Sequence, residues 1–162
     1  MDVDFISRTY GKLTFEEMFN VIKEYVEEMP SYNYNIIIGA DSQNFGNDRD
    51  GYTKMVTVVT VRRVGKGGIF FYNINYLKCI REVEPKLFHE VSLSLDLATK
   101  VQTRMKEEHL QHSICVHIDG GENGKSKKVI NNVVGMVRGC GFSCEIKPDS
   151  YAASTIADRI SK

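Results

Sequence analysis

The stretch YNYNIIIGAD, residues 32–41, predicts a strand buried on both faces, because its apolar residues run on without alternating with polar ones. We expect this strand to end on Asp41, which Ser42 and Gln43 follow without a break. A carboxylate at the end of a core strand stays ionised only where positive charge or hydrogen bonds compensate it. Since the neighbouring sequence offers no obvious partner, we expect the partner to come from elsewhere in the chain.

A second apolar run, SICVHID at residues 113–119, also ends on an aspartate, Asp119. If the two strands are parallel neighbours, Asp41 and Asp119 emerge at one edge of the sheet, where open α/β sheets bind ligands. Two unscreened carboxylates about 4 Å apart repel each other by roughly 4 kcal/mol at an effective dielectric constant near 20. The pair therefore indicates a divalent cation, and a hard cation such as Mg²⁺ prefers oxygen ligands of this kind.

The other sequence patterns alternate between helices and strands. Thr14 and Glu17 have the spacing of a capping box, which predicts a helix ahead of the strand at 32–41. MVTVVTVRR and IFFYNINYL predict two strands joined as a hairpin, and residues 44–51 between the first two strands read as a polar loop. Helical spacing then predicts helices from Pro85 to about Glu108, at 129–137 and at 150–160, with a strand at FSCEIK before the last. This order predicts an α/β fold, a single domain over residues 1–162 with a mixed five-stranded sheet flanked by helices.

Further carboxylates fall on the predicted helices. Glu90 lies at the border of the apolar stripe of the long helix, and Asp158 lies on the final helix. Asp149 directly precedes that final helix, where an aspartate is also well placed to cap its first turn. Three other acids compete with Glu90 for a role near the sheet: Glu82, Glu84 and Asp96.

The bulk composition limits the classes of function. Lys and Arg together number 21, as do Asp and Glu, so the formal net charge is zero and a non-specific nucleic-acid coat is disfavoured. A nuclease that grips a few phosphates locally is compatible with this balance. With no apolar run of membrane-spanning length and an acidic N-terminus unlike a signal peptide, we expect a soluble, cytoplasmic protein. The four cysteines lack paired CxxC spacing, and Cys115 lies inside an apolar run, which predicts reduced thiols in the core rather than disulfides or a zinc site.

The segment DGGENGKSKK, residues 119–128, has some features of a phosphate-binding loop. Its GKS matches the end of the pattern GxxxxGK[ST], but the first glycine of that pattern falls on Asp119, so the spacing is wrong. Lysines crowd the start of the following helix, where the helix dipole is already positive, so they suit a bound anion such as phosphate. The alternative is that these side chains extend into solvent. The three lysines are Lys125, Lys127 and Lys128.

Three longer segments resemble the YkuK-type bacterial proteins, which are classed as ribonuclease-H-like: IIIGADSQ, HIDGGENGKSKKVINNVVGMVRGCGF and IKPDSYAASTIADRISK. The order of elements, with acids after two strands and on two helices, is likewise similar to the ribonuclease H superfamily. The resemblance implies the sheet order 3-2-1-4-5, counting the predicted strands along the chain, with an extra N-terminal helix. It assigns the metal-binding and catalytic acids to Asp41, Glu90, Asp119 and Asp158, with Asp149 as the alternative to Asp158.

The activity implied by this resemblance is metal-assisted hydrolysis of phosphodiester bonds in RNA, an RNA–DNA hybrid or structured DNA. Two Mg²⁺ or Mn²⁺ ions held by the acids would act on the scissile phosphate. The expected contacts to substrate come from Ser42, Gln43, Lys125, Ser126 and Lys128. Two alternatives stay open: a non-catalytic module of the same fold that binds nucleic acid or protein, and an ATP-binding, phosphotransferase-like protein that uses the loop from Gly120 to Ser126.

Overall fold

The computed structural model describes residues 4–47, 49–119, 127–146 and 160. Its elements, in chain order, are β1 (Phe5–Ser7), β2 (Gly11–Leu13), α1 (Phe15–Glu28), β3 (Tyr34–Phe45), β4 (Tyr52–Arg63), β5 (Gly68–Lys78), α2 (Val83–Glu107), β6 (Ser113–His117), α3 (Lys127–Gly139) and β7 (Ser143–Glu145).

The strands form one mixed sheet in the order β2-β1-β5-β4-β3-β6-β7. Strands β3, β4 and β5 pair antiparallel, whereas β6 runs parallel to β3, and β7 runs parallel to β6. The predicted order 3-2-1-4-5 corresponds to β5-β4-β3-β6-β7 and is confirmed. The parallel pairing of β3 with β6, on which the paired aspartates depend, is confirmed as well.

The predicted number of five strands is wrong, because β1 and β2 extend the sheet beyond β5 to seven strands. Each of these strands has only three residues, too few for an alternating pattern to stand out in the sequence. Buried Phe5 and Leu13 hold the pair against the core.

The helices α1 and α2 contribute to the main core. Thr14 caps α1 as predicted, with its hydroxyl accepting from the Glu17 backbone N–H and the Glu17 carboxylate accepting from the Thr14 N–H. Strand β3 supplies the apolar run that the sequence indicates, with Ile36 and Ile38 in this core. Helix α2 begins at Val83 rather than Pro85, since proline is tolerated within the first turn of a helix.

Strand β3 does not end on Asp41 as predicted. It continues to Phe45, which pairs with Tyr52, so the predicted loop at 44–51 is shorter by two residues at its start. Gly46 has a φ of +83°, and a side chain there would come within 2.9 Å of the Gly51 Cα. This close approach allows the two long strands to stay paired almost to their tips.

The other face of the sheet carries a smaller apolar cluster of Val56 and Val58, packed against Phe70, Tyr72, Ile74 and Ile160. The carbonyl of Ile160 accepts a hydrogen bond of 2.6 Å from Lys54 Nζ. Apart from Ile160, the predicted final helix at 150–160 lies outside the described residues.

Two other predictions concern membranes and thiols. No helix among the described residues combines the length and apolar character needed to cross a membrane. The four cysteines are free in the structure; Cys79, Cys115 and Cys144 are half-buried, whereas Cys140 is exposed, so the prediction of core thiols is wrong for Cys140.

Candidate functional site

Three of the predicted acids line one cavity of about 220 Å³ at the rim of the sheet. Asp41 comes from β3, Glu90 from α2, and Asp119 follows the end of β6. These residues are far apart in the sequence, and the fold brings their carboxyl groups to one place. The remaining lining residues are Ser42, Val83, Lys86, Leu87 and Ile130.

The cavity forms where β6 ends beside a strand that continues. The parallel ladder between β3 and β6 reaches its last pair at Gly39 and His117. Beyond Gly39, β3 remains paired with β4, and Asp41 lies opposite Val56. Side chains from both faces of β3 reach this opening, so Asp41 and Ser42 line the same cavity although they are adjacent in the strand.

Glu90 and Asp41 are both buried, each with 7% of its surface exposed, whereas Asp119 is half-buried. Burial away from water raises the pKa of the Glu90 carboxyl group to about 8, and the negative charges of Asp41 and Asp119 act in the same direction. The Ser42 hydroxyl opposes this rise by donating a 2.5 Å hydrogen bond to Glu90 Oε1. The effect of Asp41 and Asp119 on the Glu90 pKa agrees with the finding that the three residues line one cavity.

Lys86 is the one basic residue that lines the cavity among the described residues. It lies on α2 one turn before Glu90, is half-buried, and its positive charge lowers the Glu90 pKa. Lys86 is not among the site residues predicted from the sequence. It lies four residues before Glu90 on the same helix, and this spacing places the two side chains next to each other, so the sequence does contain a signal for it. Lys86 supplies a positive charge beside the three acids.

A hydrogen-bond network fixes the segment that leads into α2. Asn44 Nδ2 donates to the carbonyl of Ile80 at 2.9 Å, and the Ile80 N–H donates to Thr53 Oγ1 at 2.8 Å. The Thr53 hydroxyl in turn donates to Asn44 Oδ1 at 2.7 Å. Because this network ties the entry of α2 to β3 and β4, it sets the position from which Lys86 and Glu90 reach the cavity.

Other predicted site residues lie apart from this cavity. Gln43 is exposed on β3 and does not line it, and Lys128 is exposed in the first turn of α3, the helix that supplies Ile130. The remaining predicted residues fall outside the described part of the chain: Lys125, Ser126, Asp149, Asp158 and the loop from Gly120 to Ser126. His117, which precedes Asp119 by two residues, is buried within β6.

The donor set has the chemistry of a site for a hard cation, since Asp41, Glu90 and Asp119 all offer carboxylate oxygens. A divalent cation would also reverse the electrostatics that raise the Glu90 pKa. Over residues 4–47, 49–119 and 127–146, no three His, Cys, Asp or Glu side chains are arranged as a formed metal site. The three acids fit a cation by chemistry and by shared location, and further ligands would come from outside this set.

Comparison with known proteins finds one similar bacterial protein and one matching family. The chain is 29% identical to the "Uncharacterized protein YkuK" of Bacillus subtilis (strain 168), over 98% of this chain and 96% of that protein. No solved structure gives a significant match. The model of the family described as "Ribonuclease H-like" matches residues 17–162. The chain therefore belongs to the ribonuclease-H-like family.

Proposed function

We propose that this protein is a metal-dependent nuclease that hydrolyses phosphodiester bonds of RNA, an RNA–DNA hybrid or structured DNA. The observation that carries the proposal is the convergence of Asp41, Glu90 and Asp119 from three separate elements into one cavity. A fold alone does not fix an activity, and it is this clustering that favours hydrolysis over a purely structural role. Membership of the ribonuclease-H-like family supports the same reaction class.

In this proposal Asp41, Glu90 and Asp119 hold Mg²⁺ or Mn²⁺, with two ions expected. When bound, the ions supply an activated water and neutralise charge that develops on the phosphate. We propose Asp158 as the fourth acid, with Asp149 as the alternative. The position of Ile160 supports Asp158, because Ile160 packs against the cluster of Val56 and Val58, and Val56 pairs with Asp41.

The other residues of the cavity orient the acids and the substrate. The Ser42 hydroxyl fixes one Glu90 oxygen, so that the second oxygen is the one presented to a ligand. Lys86 offsets part of the negative charge, and we propose that it attracts the phosphate. Leu87 and Ile130, both buried, form an apolar wall that strengthens charge interactions inside the cavity, whereas Val83 is 65% exposed. Contacts from Gln43, Lys125, Ser126 and Lys128 to the nucleic-acid backbone belong to the same proposal.

The test is cleavage of a panel of labelled RNA, RNA–DNA hybrid and branched DNA substrates with Mg²⁺ or Mn²⁺. The wild-type protein should cleave at least one of them, and Asp41→Asn and Asp119→Asn should each abolish cleavage. Asp96→Asn, which removes an exposed carboxylate of the same α2 helix, is the matched control and should retain activity. Cleavage that survives both cavity substitutions would contradict the proposal.

A non-catalytic module of the same fold is the second candidate. It is favoured by the finding that no formed three-ligand metal site exists within the described residues. Such a module would bind nucleic acid or protein without taking up divalent cations at the cavity. Calorimetric titration with Mn²⁺ separates the two, since only the nuclease needs cation binding that depends on Asp41.

A further inference from the structure

An aromatic platform of Phe45, Tyr52 and Tyr76 spans the tips of β3, β4 and β5. The ring centroids of Phe45 and Tyr52 are 5.5 Å apart with planes 21° from parallel, and Tyr76 meets Tyr52 edge-on at 5.6 Å. Tyr52 is 40% exposed and Tyr76 65% exposed, so the core does not account for these rings. The platform presents aromatic surface to solvent at a place where three strands hold it rigidly.

The sheet register places this platform on the same face as the cavity acid Asp41. One face of β3 carries the side chains of Asp41, Gln43 and Phe45, and Tyr52 lies beside Phe45 on the neighbouring strand. At about 3.3 Å per residue, Phe45 lies roughly 13 Å along the strand from Asp41. The platform therefore shares its sheet face with one of the acids that line the cavity.

Basic side chains alternate with the aromatic rings on this face. Lys78 pairs with Tyr52 and is exposed, whereas Lys54, which pairs with Tyr76 and with Gln43, is half-buried and donates to the Ile160 carbonyl. The nine same-face positions of this part of the sheet contain two lysines and a single acid, and that acid is Asp41 of the cavity. Positive charge between exposed rings complements a phosphate backbone whose bases stack on the rings.

We propose that the aromatic platform binds unpaired bases of a nucleic-acid strand whose backbone enters the cavity. This inference rests on the proposed nuclease function and adds to it a substrate class, one with a single-stranded segment next to the cleavage position. At about 3.4 Å per stacked nucleotide, the 13 Å between Asp41 and Phe45 corresponds to roughly four nucleotides. Base stacking tolerates any sequence, so the platform selects unpaired structure rather than a base sequence.

The test measures binding rather than cleavage, by fluorescence anisotropy of labelled duplexes that are blunt or carry single-stranded tails. Asp41→Asn protein is used with tails of two, four and eight nucleotides, in both RNA and DNA. Tails of four or more nucleotides should strengthen binding, and Tyr52→Ala and Tyr76→Ala should each weaken tailed-duplex binding by about fivefold or more. Tyr76→Phe keeps the ring and should bind like its parent. Tyr10→Ala removes a tyrosine that is 53% exposed next to β1 and should also bind normally.

The outcomes separate this inference from the nuclease proposal. Tails that add no affinity, or an advantage that survives Tyr52→Ala and Tyr76→Ala, would overturn the platform while leaving metal-dependent cleavage intact. A tyrosine-dependent preference for tails, combined with a wild-type protein that cleaves none of the substrates, would support the platform and contradict the nuclease. A dimer in light scattering that Tyr76→Ala dissociates would assign the rings to a protein interface and overturn the inference. The comparison of RNA with DNA tails shows which strand the platform holds.

Discussion

Ser42 Oγ donates a hydrogen bond of 2.5 Å to Glu90 Oε1, joining strand β3 to helix α2 across 48 positions of sequence. The bond lies inside the cavity that also contains Asp41 and Asp119. It lowers the pKa of a carboxyl group that burial and two neighbouring carboxylates otherwise raise. Ser42 therefore tunes the charge of Glu90 as well as its position.

Replacing Ser42 by alanine should weaken divalent-cation binding at neutral pH. Without the hydroxyl, the Glu90 pKa rises further, and a cation must displace a proton that is held more tightly. We expect Mn²⁺ affinity at pH 7 to fall by about tenfold, the usual scale for a lost hydrogen bond to a charged group. Calorimetric titrations at pH 7 and pH 9 measure this, and the deficit should shrink at the higher pH, where a larger fraction of Glu90 is ionised in both proteins.

Ser42→Thr provides the matched control, because it keeps a hydroxyl at the same position. It should retain most of the wild-type affinity. Equal Mn²⁺ affinities for the wild type and Ser42→Ala at both pH values would show that the bond does not tune the site.

Glu90 should make the metal-free protein less stable as the pH rises. Burial, aided by the charges of Asp41 and Asp119, raises its pKa in the folded state to about 8, against an ordinary value of 4.5 in the unfolded chain. Between these two pH values the folded state holds a proton that the unfolded state has released, so the free energy of unfolding falls with rising pH. This contribution is fully present below pH 4.5 and lost above about pH 8, at no more than about 1.4 kcal/mol per pH unit.

Urea unfolding in EDTA at pH 5.5, 7 and 8.5 measures this slope. Glu90→Gln should flatten it and should be more stable than the wild type at pH 8.5, because the neutral amide has no charge to desolvate. Glu84→Gln changes an exposed glutamate of the same helix and should leave the slope unchanged. Identical slopes for the wild type and Glu90→Gln would contradict the assignment.

Thr53 and Thr57 lie four positions apart on the same face of β4, yet their replacement by valine should have opposite consequences. The Thr53 hydroxyl accepts from the Ile80 N–H and donates to Asn44, so Thr53→Val leaves buried polar groups unpaired. We expect a loss of about 1–3 kcal/mol in the free energy of unfolding. The buried Thr57 hydroxyl has no hydrogen-bond partner among the described residues, so Thr57→Val should be neutral or stabilising.

Chemical denaturation of the two variants measures this difference. Because Thr53 also anchors the entry to α2, Thr53→Val should in addition weaken Mn²⁺ binding, whereas Thr57→Val should not. A Thr57→Val variant that is as unstable as Thr53→Val would indicate that packing, rather than hydrogen bonding, dominates at both positions.

The sequence predicts the elements whose patterns are long and periodic. The continuous apolar run before Asp41 identifies β3, the alternation in MVTVVTVRR identifies β4, and the capping box at Thr14 identifies the start of α1. Strands β1 and β2 escape prediction because three residues carry no period, and their pairing depends on the edge that β5 offers. The extension of β3 to Phe45 depends on the pairing of Phe45 with Tyr52, which the close approach of Gly46 and Gly51 permits. The residue types at positions 44 and 45 do not predict this pairing.

The candidate site is also predictable in part, namely where its residues belong to a local sequence pattern. Acids placed after apolar strands are conspicuous, so Asp41 and Asp119 stand out, and the helical stripe indicates Glu90. The sequence does not show where strands and helices end relative to their neighbours in the folded protein. The opening at Asp41 arises because β6 ends at His117 while β3 continues, and Lys86 reaches the cavity through the position of α2.

The central claim is that Asp41, Glu90 and Asp119 act together as a divalent-cation site, and direct Mn²⁺ titration tests it most simply. Calorimetry at pH 8.5 would compare the wild type with Asp41→Asn, Asp119→Asn and the exposed control Asp96→Asn. We predict that the wild type and Asp96→Asn bind Mn²⁺, and that each cavity substitution weakens binding at least about tenfold. A wild-type protein that takes up no Mn²⁺, or one whose affinity is the same after Asp41→Asn and Asp119→Asn, would contradict the claim.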